Sequence, residues 1–442
     1  MPIPVYAINL KTRSDRKASI EKEFAGKPEF GLYITEACTH TNPAKGLWMS
    51  ITGVLQKAKE SNLDFIVICE DDHVFTPEYS FEKLQTAIEE AKRLNVDIVL
   101  GGVSWLRSMF PVCQHLCWVE EFTGTQFVIV FKHFYDVLLN FAFFDDDTAD
   151  KAMGALTKRK AFIYPFISGQ KDFGYSDVTL KNNEPGKVDA LFLHTRQRLK
   201  LMHEVDKFYK SQGSLAAILD LVDKEEIVLP TYIINLPERA DRLTHVLKQF
   251  EGKPEFGVTV VEACRHEVGA VGLWMSIRKI VEMAKEKSED LIIICEDDHT
   301  FTKNYSKKQF FRNVFEAGFR GSDYLSGGTG GFDTVLPVSE NLYWLHPSQA
   351  TQFIVVFQQF FQAILDEPFD DTVIADLRLS EMTSNKLVIY PFVSVQKDFG
   401  YSDVTHSHQQ NKGLLTALFQ RSDARLNKIQ EAYLNFNHLS KK

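Results

Sequence analysis

Three acidic residues in a row, Glu70-Asp71-Asp72, close an apolar run at Phe65–Cys69. The same arrangement returns as Glu296-Asp297-Asp298 behind Leu291–Cys295. Adjacent carboxylates repel one another and are costly to hold half-buried, and a divalent cation removes that cost. Along an extended backbone residues i and i+2 face the same way, so Glu70 with Asp72, and Glu296 with Asp298, can share one ion. Hard oxygen ligands of this kind suit Mn²⁺ or Mg²⁺, which commonly complete their shell with substrate phosphates. An isolated acidic triplet is more often a solvated turn. Two copies inside the identical string CEDDH, each following a buried run, favour a site instead.

The duplication extends far beyond the acids. From Ile8 to Thr179 each block reappears at a constant spacing: Ile8-Asn9-Leu10 as Ile234-Asn235-Leu236, GKPEFG at 26–31 as 252–257, GLWMS at 46–50 as 272–276, and QKDFGYSDVT at 170–179 as 396–405. A period this long makes the repeating unit a whole domain rather than a solenoid element. The chain of 442 residues therefore reads as a first domain at 1–209, a connector at 210–228 and a second domain at 229–442. The connector is not rich in Gly, Ser or Pro, which predicts a packed or helical link. Each copy, roughly 200 residues, is long enough to bury its own core.

Composition narrows the function classes. A chain 44% hydrophobic and 25% charged is an ordinary globular protein. A net charge of −9 gives no electrostatic reason to bind nucleic acid, so an anionic substrate must be held locally, by a metal or a few arginines. Of the six cysteines, Cys38 and Cys69 match Cys264 and Cys295. Cys69 and Cys295 end apolar runs and read as buried thiols. Cys113 and Cys117, with His115 between them, form one short pair without a second, weak ground for zinc. The N-terminal MPIPVYAINL is short and uncharged for a signal peptide, and no apolar run reaches membrane-spanning length. The expectation is a cytoplasmic, reduced protein, with peripheral attachment at the inner face of a membrane compatible with it.

The elements that must position the acids follow from periodicity. Val5–Leu10, Tyr33–Cys38, Phe65–Cys69, Asp97–Leu100 and Gln126–Phe131 read as strands, and Ser14–Phe24, Leu47–Lys59 and Phe81–Leu94 as helices. Strands alternating with helices predict an α/β fold on a mostly parallel sheet. In such sheets ligands bind at the carboxyl ends of strands, where the acids should lie. Each domain should end in a helical extension, near Ala190–Tyr209 and Ala417–Phe436. Trp48 and Trp274 fall on amphipathic helices, where core packing is the default.

The ordered set of motifs resembles glycosyltransferase family 25, which includes bacterial lipooligosaccharide and collagen galactosyltransferases. It runs INL-x2-R-x-DR at Ile8–Arg16 and Ile234–Arg242, then G-x3-S at Gly46–Ser50 and Gly272–Ser276, then an apolar strand with EDD. An aspartate-headed segment follows at Asp145 and Asp371, and last Gln170 with Ser176-Asp177, matched by Gln396 with Ser402-Asp403. The resemblance covers nearly all of both repeats. It implies two tandem GT-A-like (Rossmann-like) domains, a nucleotide-sugar donor that is usually UDP-linked, inversion at the anomeric carbon, and galactose as the sugar. One departure is that many bacterial members read G-x3-SH, whereas Ile51 and Ile277 follow the serine here; His73 and His299, directly after the acids, are substitutes or structural residues.

On this reading Glu70, Asp72, Glu296 and Asp298 hold the metal against the donor diphosphate. Asn9, Arg13, Arg16 and Asp71, with Asn235, Arg239, Arg242 and Asp297, form the donor-binding set; arginines past the first strand pair with phosphates or cap a helix. Asp145 and Asp371 resemble the family's aspartate and are the chosen bases, although an aspartate ahead of a helix serves equally as an N-cap. Gln170, Ser176 and Asp177, with Gln396, Ser402 and Asp403, bind donor or acceptor, or build a polar turn. His194 faces Arg421 in the second copy, so a shared ligand role fails there. The acceptor is an oligosaccharide or glycolipid. The segment 103–117 has diverged from 329–343, which suits two transferases with different acceptors, or one active domain beside one that holds glycan. Two other classes compete: a glycan-binding protein, which need not keep an ion cage, and a nucleotidyltransferase, which usually carries a Gly-rich loop after the first strand. Leu10–Arg16 has no glycine.

Overall fold

The computed structural model describes residues 2–174, 184, 186–211, 227–349, 351–400 and 413–440. The chain forms two compact units, Met1–Leu201 with Ala432–Lys442, and Met202–Glu431. Their bounds fall within the two terminal helices. Of the 210–228 connector, 212–226 lie outside the described residues.

The first unit begins with β1 (Ile3–Asn9), α1 (Ser14–Phe24), β2 (Phe30–Glu36), α2 (Pro43–Glu60), β3 (Phe65–Glu70) and β4 (His73–Phe75). It continues through α3 (Phe81–Arg93), β5 (Ile98–Leu100), β6 (Trp105–Leu106), β7 (Met109–Pro111), β8 (Leu116–Val119), β9 (Phe122–Thr123) and β10 (Phe127–Phe131). Next come α4 (Lys132–Leu139), α5 (Ala149–Leu156), β11 (Lys160–Ile163), β12 (Ser168–Gln170) and α6 (Lys187–Ser211), the expected helical extension. An eight-stranded sheet runs β2-β1-β3-β10-β5-β11-β8-β7. β1 is parallel to both its neighbours and β5 is parallel to β11. Only β10 and β8 run against the rest. The sheet of the second unit repeats this order from Phe256–Glu262 through Leu229–Asn235 and Leu291–Glu296 to Gly331–Pro337, and the second sequence repeat ends in the helix Leu414–Ser440.

Central position explains the composition of β3. Flanked by β1 and β10, it carries Ile66, Val67, Ile68 and Cys69, all fully buried. Each large apolar side chain there contributes about 1.5–3 kcal/mol. The strand stays apolar until Glu70, where it leaves the sheet.

Helix α2 shows why G-x3-S recurs. Asn42 caps it by accepting the Ala44 N–H at 3.0 Å, and Pro43 takes the first helical position. A Cβ on Gly46 would stand 2.6 Å from the Cys38 carbonyl oxygen, so the backbones meet directly. The Ser50 hydroxyl donates to the Gly46 carbonyl at 2.8 Å and accepts the Cys38 N–H at 2.8 Å. Gly272, Ser276 and Cys264 repeat this. The motif docks the helix on the loop after β2. Ile51 and Ile277, which follow the serine of each motif, are buried in the core. Trp48 stacks on Phe143 with ring centroids 5.0 Å apart, a packing role.

Candidate functional site

Strand register assembles the site. Ile8 pairs with Glu70 across β1 and β3, which puts Asn9 level with Asp71. Phe127 pairs with Cys69 across β10 and β3, which puts Thr125 and Gln126 beside Glu70. The small ladder of β4 and β12 pairs His73 with Gln170, which brings Gln170 next to Asp72. Gly101 and Gly102 make that ladder possible: a Cβ on Gly102 would lie 2.1 Å from the Ser168 carbonyl oxygen. Gly328 meets the Ser394 carbonyl oxygen in the same way.

The three acids divide their work. Asp71 turns to the protein: Asn9 Nδ2 donates to it at 2.8 Å and Arg16 Nη1 at 3.1 Å. Glu70 accepts the Thr125 hydroxyl at 2.6 Å. Asp72 receives Gln170 Nε2 at 3.4 Å and stands 3.9 Å from Arg16, while its Oδ1 is buried with no hydrogen-bond partner. The second unit rebuilds the set. Asn235 and Arg242 reach Asp297 at 2.9 and 3.0 Å, Thr351 reaches Glu296 at 2.6 Å, and Asp298 Oδ1 is orphaned.

Electrostatics single out the outer two acids. Burial, then the Asp72 charge, pushes Glu70 up to about 8, against the pull of the Thr125 hydrogen bond. Burial and then Asp71 push Asp72 up to about 7, against Arg16 and Gln170. Glu296 and Asp298 are raised to the same values, again chiefly by burial. Without a cation the pair therefore keeps protons up to near-neutral pH, protons that a bound divalent ion would displace.

These residues floor a cleft of about 580 Å³. One wall is Ile8, Leu10, Arg16 and the loop Ala37–His40; the other is Ser104, Thr123–Thr125 and Thr148–Lys151; Gln170–Phe173 and Val188 and Leu191 of α6 complete it. The Arg16 guanidinium lies 4.8 Å from the centre of the Phe173 ring, and Arg242 lies 4.9 Å from that of Phe399. Asp172 accepts the N–H groups of Gly174 and Gly186 at 2.7 and 2.8 Å, fixing both ends of the intervening segment.

Two carboxylates, Glu70 and Asp72, thus share one cleft floor. Among the described residues no group of three or more His, Cys, Asp or Glu side chains is arranged to hold a metal. The donor set still fits a hard divalent cation: two oxygen ligands, one orphaned oxygen, and charge the protein does not neutralise. Such an ion would draw its remaining ligands from bound phosphate and water.

The other expected residues fall as follows. Arg13 and Arg239 sit at the N-caps of their helices, and Arg13 is not part of the first unit's cleft lining. Ser176, Asp177, Ser402 and Asp403 lie outside the described residues. His73 is buried among Phe24, Phe75 and Phe127, with Nδ1 2.8 Å from the Ser168 hydroxyl; burial lowers it to about 3, which makes it a neutral core residue. His299 repeats this against Ser394. His194 is an exposed residue of α6.

Asp145, the expected base, has a side chain 82% exposed and 3.9 Å from Lys45. Asp371 is 79% exposed, 3.6 Å from His266. Neither caps a helix, because α5 starts only at Ala149 and its counterpart at Ala375. Beyond the three acids, the cleft is lined by two carboxylates: Asp172, engaged by the Gly174 and Gly186 N–H groups, and Asp150. Its charge raises Glu70, as that of Asp376 raises Glu296. Periodicity gave no hint of Asp150 or Thr125, yet both stand in strings common to the copies, Ala-Asp and Thr-Gln-Phe.

No family model matches the chain, and no curated protein does. Among solved structures the chain is similar to apo UDP-glucose pyrophosphorylase, at 8% identity over 44% of this chain and 82% of that one, with a TM-score of 0.26. It is similar to UDP-glucose pyrophosphorylase complexed with UDP-glucose at 9% identity, 44% and 81% coverage and a TM-score of 0.27. A glycosyltransferase involved in glycosylation of the major capsid of PBCV-1 gives 13% identity, 31% and 64% coverage and 0.20. Scores at this level assign no function.

Proposed function

We propose that the chain is a metal-dependent, inverting glycosyltransferase with two sites, each moving a sugar from a UDP-sugar to an oligosaccharide or glycolipid acceptor. What carries the reading is a pair of buried carboxylates, Glu70 and Asp72, with an orphaned oxygen at the end of a central strand, built again at Glu296 and Asp298. Mn²⁺ or Mg²⁺ bound there would neutralise the charge that grows on the departing diphosphate. Arg16 and Arg242, already turned toward these acids, are suited to a phosphate oxygen on the same floor. The apolar wall of Ile8, Leu10 and Leu47 suits the uridine end of the donor. Galactose as the donor sugar and a bacterial surface saccharide as the acceptor are the specific form of the proposal, with the work done at the cytoplasmic face of a membrane. Among the described residues no helix is long and apolar enough to cross one.

Calorimetric titration of UDP into the protein tests this. With Mn²⁺ the expected stoichiometry is two UDP per chain, falling to one in Asp72→Asn or Asp298→Asn and to none in EDTA. One UDP in the wild type, lost only with Asp72→Asn, would leave the second unit as a non-catalytic holder of glycan. Equal affinity in EDTA would refute the metal role.

A further inference from the structure

We infer that Asp150, and Asp376 in the second unit, is the carboxylate that takes the proton from the acceptor hydroxyl; this rests on the transferase reading above. Asp150 lines the cleft from the first turn of α5. The floor runs in order: Asn9 and Arg16 on Asp71, then Asp72, then Glu70 on Thr125, then Gly124, whose N–H donates to Asp150 Oδ2 at 3.2 Å. Asp150 Oδ1 accepts the Lys151 N–H at 2.8 Å and the Thr148 hydroxyl. Among the described residues no lysine or arginine pairs with it. Its side chain is therefore held in one orientation by neutral donors, at the other end of this run of contacts from the Arg16 guanidinium.

Comparison of the two copies shows which part of this arrangement is kept. Thr148 becomes Ile374 and Lys151 becomes Leu377, so the neighbours changed chemistry, yet Ala149-Asp150 stays Ala375-Asp376. The Leu377 N–H still holds Asp376 Oδ1, at 2.7 Å. The hydroxyl that helps fix Asp150 is replaced in the second copy, whereas the carboxylate is retained.

In the step, the acceptor oxygen forms a bond to the anomeric carbon while the bond from that carbon to the diphosphate oxygen breaks. The electron pair leaves with UDP, and the hydroxyl proton passes to Asp150 and then to solvent. General-base assistance of this kind contributes about 10²–10⁴-fold.

The test places Asp150→Asn in a protein already carrying Asp298→Asn, so that only the first site is read. Transfer from each of a panel of UDP-sugars to saccharide acceptors gives kcat, and calorimetry gives the affinity for UDP with Mn²⁺. The expected result is a kcat at least 100-fold lower with UDP affinity within threefold. Asp376→Asn in an Asp72→Asn background should behave alike. Retention of more than a tenth of kcat would overturn the assignment. So would a parallel loss of UDP affinity, which would make Asp150 only the support of the Gly124–Thr125 turn. A parent that transfers with no donor would instead overturn the transferase reading itself.

Discussion

Replacing Asp72 by asparagine should stabilise the metal-free protein at pH 8 while removing its response to Mn²⁺. Asp72 is held near 7 against an ordinary carboxylate value near 4. About 3 units of displacement correspond to about 4 kcal/mol. The side chain keeps 18% exposure and the cleft admits water, which brings the expected gain to about 2 kcal/mol. The sign follows from linkage. A carboxylate raised in the folded state contributes stability that is complete below its unfolded value and is lost as pH rises through about 7. The advantage of Asp72→Asn should therefore be near zero below about pH 4, grow through pH 5–7 and be full at pH 8.

His73, lowered to about 3, acts in the opposite sense: its contribution is lost as pH falls below about 6.5. The quantity to measure is thus the difference between variant and wild type at each pH, not either curve alone. Thermal unfolding in EDTA should show the first unit of the variant melting about 4–8 °C higher at pH 8. Mn²⁺ at 100 times its Kd should then add about 2.7 kcal/mol to the wild-type site and nothing to the variant's. An Asp72→Asn protein less stable than wild type at pH 8 in EDTA would refute the reasoning, because Arg16 would then already compensate the acid.

Gly46→Ala should destabilise by about 1–3 kcal/mol through the clash with the Cys38 carbonyl, whereas Gly53→Ala on the same helix, with nothing near its Cβ, should gain about 0.5–1 kcal/mol; thermal melts of the pair decide it. Arg16→Met leaves Asp71 buried with Asn9 as its remaining partner and should lower stability by about 3 kcal/mol, read from the urea midpoint at an unchanged slope. Thr148→Ile with Lys151→Leu, in an Asp298→Asn background, should move the donor and acceptor preference of the first site toward that of the second while UDP affinity stays within threefold. An unchanged preference would exclude this wall as the selector.

The sequence made the alternating α/β plan legible because each buried strand is a short apolar run and each helix an amphipathic one. α1 was expected and observed at Ser14–Phe24, and β3 gained only Glu70. The reversal of β10 was not legible: a strand buried on both faces has the same composition whichever way it runs. The acids were visible because duplication kept CEDDH intact, and the register that sets Asn9 against Asp71 explains why INL was retained with it. The helix expected directly after Asp145 begins later, at Ala149, because composition alone does not place a helix start. The ladder of β4 and β12 was hidden for a different reason. Each strand has three residues and they lie far apart in the chain, so neither has a period to detect.

The most direct test of the central claim is UDP release from a panel of UDP-sugars with saccharide acceptors, in Mn²⁺ or EDTA, by wild type, Asp72→Asn and Asp298→Asn. The account predicts metal-dependent release that falls in part in each single variant and vanishes in the double variant. Release unaffected by either substitution, or no release with any donor, would contradict it.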